Sequence, residues 1–205
     1  MRRYNRIGGT GPAPLAYLER VTARRIYTGG ERRWRLALTL ILAGYGWLLL
    51  RTPGQYRWLD SLDLAIHEAG HLVFALAGEF AGILGGTLLQ LLIPLTFVLA
   101  LRRQADSHGA TVPLWWLGQN CLNIAVYISD ARAQELPLVG GGEHDWSLLL
   151  DRFGLLGRDL VIGRAVAVAG AVLMMLAVVL GWRALAAAPS SMAPPVHAGA
   201  RDRAE

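Results

Sequence analysis

The feature that most limits how this chain can fold is a series of long apolar blocks separated by short polar breaks. Trp34–Leu50 is the first, with Trp34 and Trp47 near its ends. Thr87–Leu101 carries a kinking Pro94, Pro113–Asp130 opens near Trp115 and Trp116, and Val161–Trp182 is rich in Ala, Gly and Val. A run of about 20 apolar residues crosses a bilayer as a helix, because only a helix satisfies its own backbone without water. The 205 residues are 54% hydrophobic and 17% charged, which excludes disorder, a coiled coil and most soluble enzymes. A single cysteine, Cys121, excludes a disulfide framework and a thiolate zinc cluster, and reads as a small apolar residue.

These blocks predict an all-α fold, a polytopic transmembrane helical bundle of about five spans. The second span begins near Asp60 or Ser61, either of which can cap it, and runs to about Phe80. Glycines between Gly82 and Gly86 are expected to break the helix before the third span. A less hydrophobic stretch from Ala131 to Arg158 holds Gly140-Gly141-Gly142 and a short helix from Trp146. Residues 1–33 read as a basic N-terminal arm, 34–186 as the transmembrane domain and 187–205 as a disordered Ala/Pro/Ser-rich tail.

The arm's arginines place the N-terminus in the cytoplasm. With five spans, the loop after the fourth is cytoplasmic too, in keeping with Arg132, Arg152 and Arg158. Arg102 and Arg103 would face outward, against the trend.

Within the second span stands His67-Glu68-Ala69-Gly70-His71. Helix positions i and i+4 share a face, so both imidazoles can bind one ion. In His-Glu-x-x-His sites the carboxylate takes a proton from the attacking water and later delivers it to the leaving amine. Zinc suits imidazole ligands and makes water acidic near neutral pH. Two histidines and a glutamate inside an apolar span also mark a functional site, against the alternative of a polar cluster that joins helices.

A catalytic zinc needs a third protein ligand. The order of expectation is His144, then Asp130, then Asp145. His144 and Asp145 follow the glycine run, whose backbone can fold into a cavity. Asp130 ends a polar stripe, Asn120, Asn123, Tyr127 and Asp130, whose spacing puts all four on one helix face. Asp145 can equally orient a ligand or cap the short helix. Asn120, Asn123 and Gln90 are candidate substrate contacts, with helix-to-helix hydrogen bonding as the alternative for Gln90. Asp63 reads as a cap before a supporting role, and His108 and His197 receive no role.

With these residues in hand, the chain resembles the site-2 protease family of intramembrane zinc metalloproteases. The carriers are His67-Glu68-Ala69-Gly70-His71 inside a span and, two spans later, Asn123 and Asp130. That family carries Asn-x-x-Pro and Leu-Asp-Gly on the later helix; here Pro is absent and Ser129-Asp130-Ala131 stands in place of Leu-Asp-Gly. The resemblance covers about Asp60 to Asp130 and implies Asp130 as the third zinc ligand. Leu84-Gly85-Gly86-Thr87 through Pro94, and Leu136-Pro137-Leu138 through Trp146, are similar to small bacterial membrane proteins with the same zinc motif. That likeness favours His144 and implies the bacterial inner (plasma) membrane.

The expectation is a zinc-dependent intramembrane peptidase with Glu68 as general base and His67 and His71 on zinc. Its partners are a membrane protein or peptide substrate and the lipid bilayer, with no nucleic acid. A membrane lipid amide or ester hydrolase, and a non-catalytic membrane scaffold, are the alternatives. No PDZ-like module is present to recruit a substrate.

Overall fold

The computed structural model describes residues 27–138 and 143–187. The rest of the arm, Gly140-Gly141-Gly142 and the tail beyond Ala187 lie outside the described residues. Six α-helices and no strand are present among the described residues: α1 Gly29–Arg51, α2 Trp58–Ala75, α3 Glu79–Arg103, α4 Thr111–Ser129, α5 Asp145–Arg152 and α6 Asp159–Ala187. A 3₁₀ turn, Leu156–Arg158, leads into α6. Two helical stretches, Glu79–Arg103 and Leu156–Ala187, are long and apolar enough to cross a membrane.

Local chemistry sets the helix ends. Thr28 accepts from the Glu31 N–H at 3.2 Å while the Glu31 carboxylate accepts from the Thr28 N–H at 2.8 Å, a capping box that starts α1. α2 starts earlier than the sequence suggests, at Trp58. Asp60 sits in its first turn and accepts from the Arg57 N–H at 2.6 Å. The break before α3 also falls elsewhere: residues 76–78 make it, with Gly78 at φ +107°, and α3 then runs unbroken through Gly82–Gly86. Those glycines serve packing. A Cβ at Gly85 would lie 2.6 Å from the Gly70 carbonyl oxygen, so α2 and α3 touch backbone to backbone there.

α4 and α6 form the most extensive pair, antiparallel, with Gly118 against Gly170 and Gly163 against Ser129. α1 runs antiparallel to α6, with Thr39 beside Gly181 and Gly46 beside Met174. α3 returns antiparallel to α4, and α2 antiparallel to α3. α1 and α2 therefore point the same way. Five spans alternating in direction need them to oppose each other, and they do not. The reason is the 52–57 connection: the Arg57 guanidinium donates to Thr52 Oγ1 and Gln55 Oε1, fixing a loop that does not reverse the chain. Leu59 then packs near Trp115 with Tyr45 and Leu49, so that α2 starts beside the last turns of α1.

One end of the bundle thus gathers the start of α1, the loop after α3 and the end of α6. Here His108, given no role from sequence, is buried in a clamp. Arg35 donates to both Asp106 oxygens at 3.0 and 3.1 Å and to His108 Nδ1 at 3.2 Å. Nδ1 accepts, so Nε2 carries the proton and donates to Thr39 Oγ1 at 3.0 Å; Thr39 in turn donates to the Arg35 carbonyl. Burial, then the Arg35 charge, push the His108 imidazole below its ordinary value. The unfolded chain therefore binds the proton more readily, and stability falls as pH drops through the unfolded value near 6.5. His108→Gln is expected to lose less thermal stability than the parent between about pH 7 and 5. An unchanged difference across that range would show that the clamp does not titrate.

Candidate metal centre

The opposite end of the bundle brings together the turn between α2 and α3, the end of α4, α5 and the start of α6. Three ligand atoms meet there. Asp145 Oδ2 lies 3.0 Å from His67 Nε2 and 3.3 Å from His71 Nε2. The two imidazole rings stand nearly perpendicular with centroids 4.8 Å apart, as one helical turn of separation requires. All three atoms lie within 4.8 Å of one another.

Their hydrogen-bond partners decide which lone pairs are available. His71 Nδ1 donates to the Gly82 carbonyl oxygen at 2.8 Å, which leaves Nε2 as an acceptor. His67 is set by a longer relay. Asp60 can only accept, so the Asn123 amide nitrogen faces it at 3.2 Å. The Asn123 oxygen then accepts from Gln90 Nε2 at 2.9 Å, and Gln90 Oε1 faces His67 Nδ1 at 3.2 Å. The relay places a proton on His67 Nδ1, so in the neutral ring the Nε2 lone pair faces Asp145. With both rings neutral, two imidazole lone pairs and a carboxylate oxygen converge. That donor set fits a cation, and nitrogen with carboxylate ligands fits zinc.

The sequence expected His144 as third ligand; the geometry assembles Asp145 instead. His144 caps α5, its Nδ1 accepting from the Ser147 N–H at 3.2 Å. Its remaining proton is on Nε2, which points at Asp130 Oδ2 3.4 Å away. Nδ1 is committed to the cap while Nε2 makes no hydrogen bond and faces Asp130 rather than the other histidines, and burial pushes the imidazole below its ordinary value. Asp130 is turned from the histidines as well. Its carboxylate accepts from the Glu135 and Leu136 N–H groups at 2.9 and 3.1 Å and closes the turn after α4.

Tyr127, in the polar stripe but without a role in the sequence reading, supports the third ligand. Its hydroxyl accepts from the Asp145 N–H at 3.2 Å and faces Asp145 Oδ2 at 3.3 Å. Its ring lies 4.1 Å from the His144 ring centroid. Gly86 is the other missed contributor: a Cβ there would come 2.6 Å from His67 Nε2, so glycine leaves room for the ring. The cluster of glycines was visible in the sequence; its use was not.

Beside these groups lies a cavity of about 1460 Å³. Half-buried Glu68 lines it with His67, His71 and Asp145. Gln90 and Asn123, expected as substrate contacts, line it too while forming the relay. Asn120 is fully buried and donates to the Trp116 carbonyl at 3.0 Å. Asp63 is no cap: it is fully buried and accepts from Trp116 Nε1 at 2.9 Å.

No family model, curated protein or solved structure matches the chain.

Proposed function

We propose that this protein is a membrane-embedded, zinc-dependent hydrolase similar in chemistry to the site-2 proteases, acting on peptide bonds in or beside the membrane. The observation that carries the reading is the convergence of His67 Nε2, His71 Nε2 and Asp145 Oδ2 on a cavity that Glu68 also lines. His67, His71 and Asp145 would hold the zinc. When bound, zinc supplies Lewis acidity that lowers the pKa of water to about 7. Glu68 takes the proton from the attacking water and returns it to the leaving nitrogen. Gln90 and the Gly82 carbonyl keep both imidazoles in the ligating tautomer.

A bilayer setting is supported by the outer surface, where Leu40, Ile41, Leu72, Phe97, Val168 and Met175 are exposed, while the interior holds His67, Gln90, Asn120 and Asp63. In our reading α1 and α2 cross together in series, followed by α3, α4 and α6, which is four passes with both helical termini on one side. The first end of the bundle carries Arg32, Arg33, Arg102, Arg103 and Arg183. The end with the metal ligands carries Glu79, Asp130, Glu135, Glu143 and Asp151 and fewer arginines, Arg132, Arg152 and Arg158. The positive-inside rule then keeps the N-terminus in the cytoplasm and turns the metal site toward the opposite face. Arg102 and Arg103 join the cytoplasmic side, while Arg132, Arg152 and Arg158 move to the opposite face, where Arg132 is neutralised by its pair with Asp159. A cysteine at Glu135 is expected to react with an impermeant maleimide in intact cells, and one at Gln104 only after lysis. The reverse pattern would invert the orientation.

The activity is tested with detergent-purified protein, a fluorogenic transmembrane peptide and a fluorogenic lipid amide. Peptide cleavage that stops on chelation and returns with zinc is the expected result. Cleavage of the lipid amide alone would replace the peptidase reading with the lipid one, and no cleavage by zinc-loaded protein would remove the hydrolase.

A further inference from the structure

α6 is strongly apolar, and Arg164 is the single charged side chain between Asp159 and Arg183. A guanidinium inside such a stretch is costly unless it meets a counter-charge or a wet cavity. Arg164 is exposed and lines the large cavity together with Ala167, Val168 and Ala171. Their spacing puts the four residues on one face of α6, so the charge stands at one end of an otherwise apolar wall. It has no counter-charge: Arg164 forms no ion pair, hydrogen bond or ring contact among the described residues. Arg152, a second guanidinium on the cavity wall, is engaged, lying 5.2 Å from the Phe80 ring centroid.

The height of Arg164 follows from its neighbour. A Cβ at Gly163 would meet Ser129 Oγ and the Ala125 carbonyl oxygen, so this turn of α6 packs level with residues 125–129 of α4. Tyr127, within that segment, holds Asp145. Arg164 therefore shares both the cavity and the level of the metal centre. A guanidinium offers a planar fork of N–H donors that matches a carboxylate. The wall that continues from it is apolar, so the group that brings the carboxylate also brings an apolar side chain. In a peptide, only the C-terminal residue combines the two.

We propose that Arg164 binds the C-terminal carboxylate of an apolar peptide, so that the protein acts as a carboxypeptidase. The cleavage rests on the peptidase reading above; the anion site does not. Water adds to the carbonyl carbon of the last peptide bond and the C–N bond breaks. The proton that Glu68 takes from that water goes to the leaving nitrogen. The products are the shortened chain, with a new carboxylate, and one free amino acid.

The test uses the full chain, zinc-loaded in detergent. Binding is read by fluorescence anisotropy on a Glu68→Gln background, which prevents turnover. The probe is an N-terminally labelled apolar peptide ending in leucine, as the free acid and as the amide. The free acid is expected to bind about 10–100-fold more tightly, with the preference lost in Arg164→Gln and partly restored in Arg164→Lys. Zinc content should be equal in all three proteins. With Glu68 intact, mass spectrometry should show loss of leucine from the acid and no cleavage of the amide. Equal binding of acid and amide, or a preference that survives in Arg164→Gln, overturns the proposal. So does phosphatidylglycerol that binds through Arg164 and displaces the acid, which would make this a lipid headgroup site. A preference for the acid in a protein that cleaves neither peptide would support the Arg164 site and remove the hydrolase alone. Cleavage of both peptides at like rates would keep the hydrolase and remove the carboxypeptidase.

Discussion

Asp145→Ala is expected to strip the metal from detergent-purified protein, taking zinc from about one per chain to near none, while His144→Ala keeps it. The two residues are neighbours, so the pair separates ligation from damage to the loop. Asp145 Oδ2 lies within 3.3 Å of both imidazole Nε2 atoms, and its removal leaves two nitrogens on one helix face. His144 has its Nδ1 on the Ser147 N–H and its Nε2 toward Asp130, so its loss weakens the α5 cap and not the ligand set. Elemental analysis beside Asp130→Ala completes the comparison. Zinc lost in His144→Ala and kept in Asp145→Ala would overturn the assembled site. Gln90→Ala should fall between, lowering affinity by about 10–100-fold, since it removes only the acceptor that orients His67.

Glu68→Gln is expected to retain zinc and lose peptide hydrolysis by a factor of about 10²–10⁴, the usual contribution of a positioned acid–base group. The amide is isosteric with the carboxylate but cannot accept the proton of water. Glu68 is not one of the three converging ligands, so the ion has no reason to leave. Zinc content and turnover measured on the same preparation separate the roles. Turnover close to wild type would remove Glu68 as general base, and zinc lost together with activity would make it a ligand.

The helical class was legible from the apolar blocks, and so was the pairing of His67 with His71. Four residues of separation fix the stacking of two side chains on any helix, whatever the rest of the chain does. The direction of the helices was not legible. A polar break such as 51–57 reads as a reversal, whereas here the Gln55 N–H bond to the Thr52 carbonyl and the Arg57 bonds to Thr52 and Gln55 fold a connection after which α2 points the same way as α1. The same is true of Gly82–Gly86. Glycines in a helix signal a break or a close approach alike, and the partner, Gly70 and the His67 ring, is 15 to 19 residues away in sequence.

The polar stripe of α4 illustrates the division most clearly. Its spacing required Asn120, Asn123, Tyr127 and Asp130 to share a face and to avoid lipid. It could not say that Asn123 relays Asp60 to Gln90, that Tyr127 holds Asp145, or that Asp130 closes a turn. By itself the sequence determined the elements and the chemistry available, because hydropathy and helical periodicity are local. The choice among His144, Asp130 and Asp145 needed the tertiary structure, because a ligand is selected by where its lone pair points. That direction is set by hydrogen bonds from other helices.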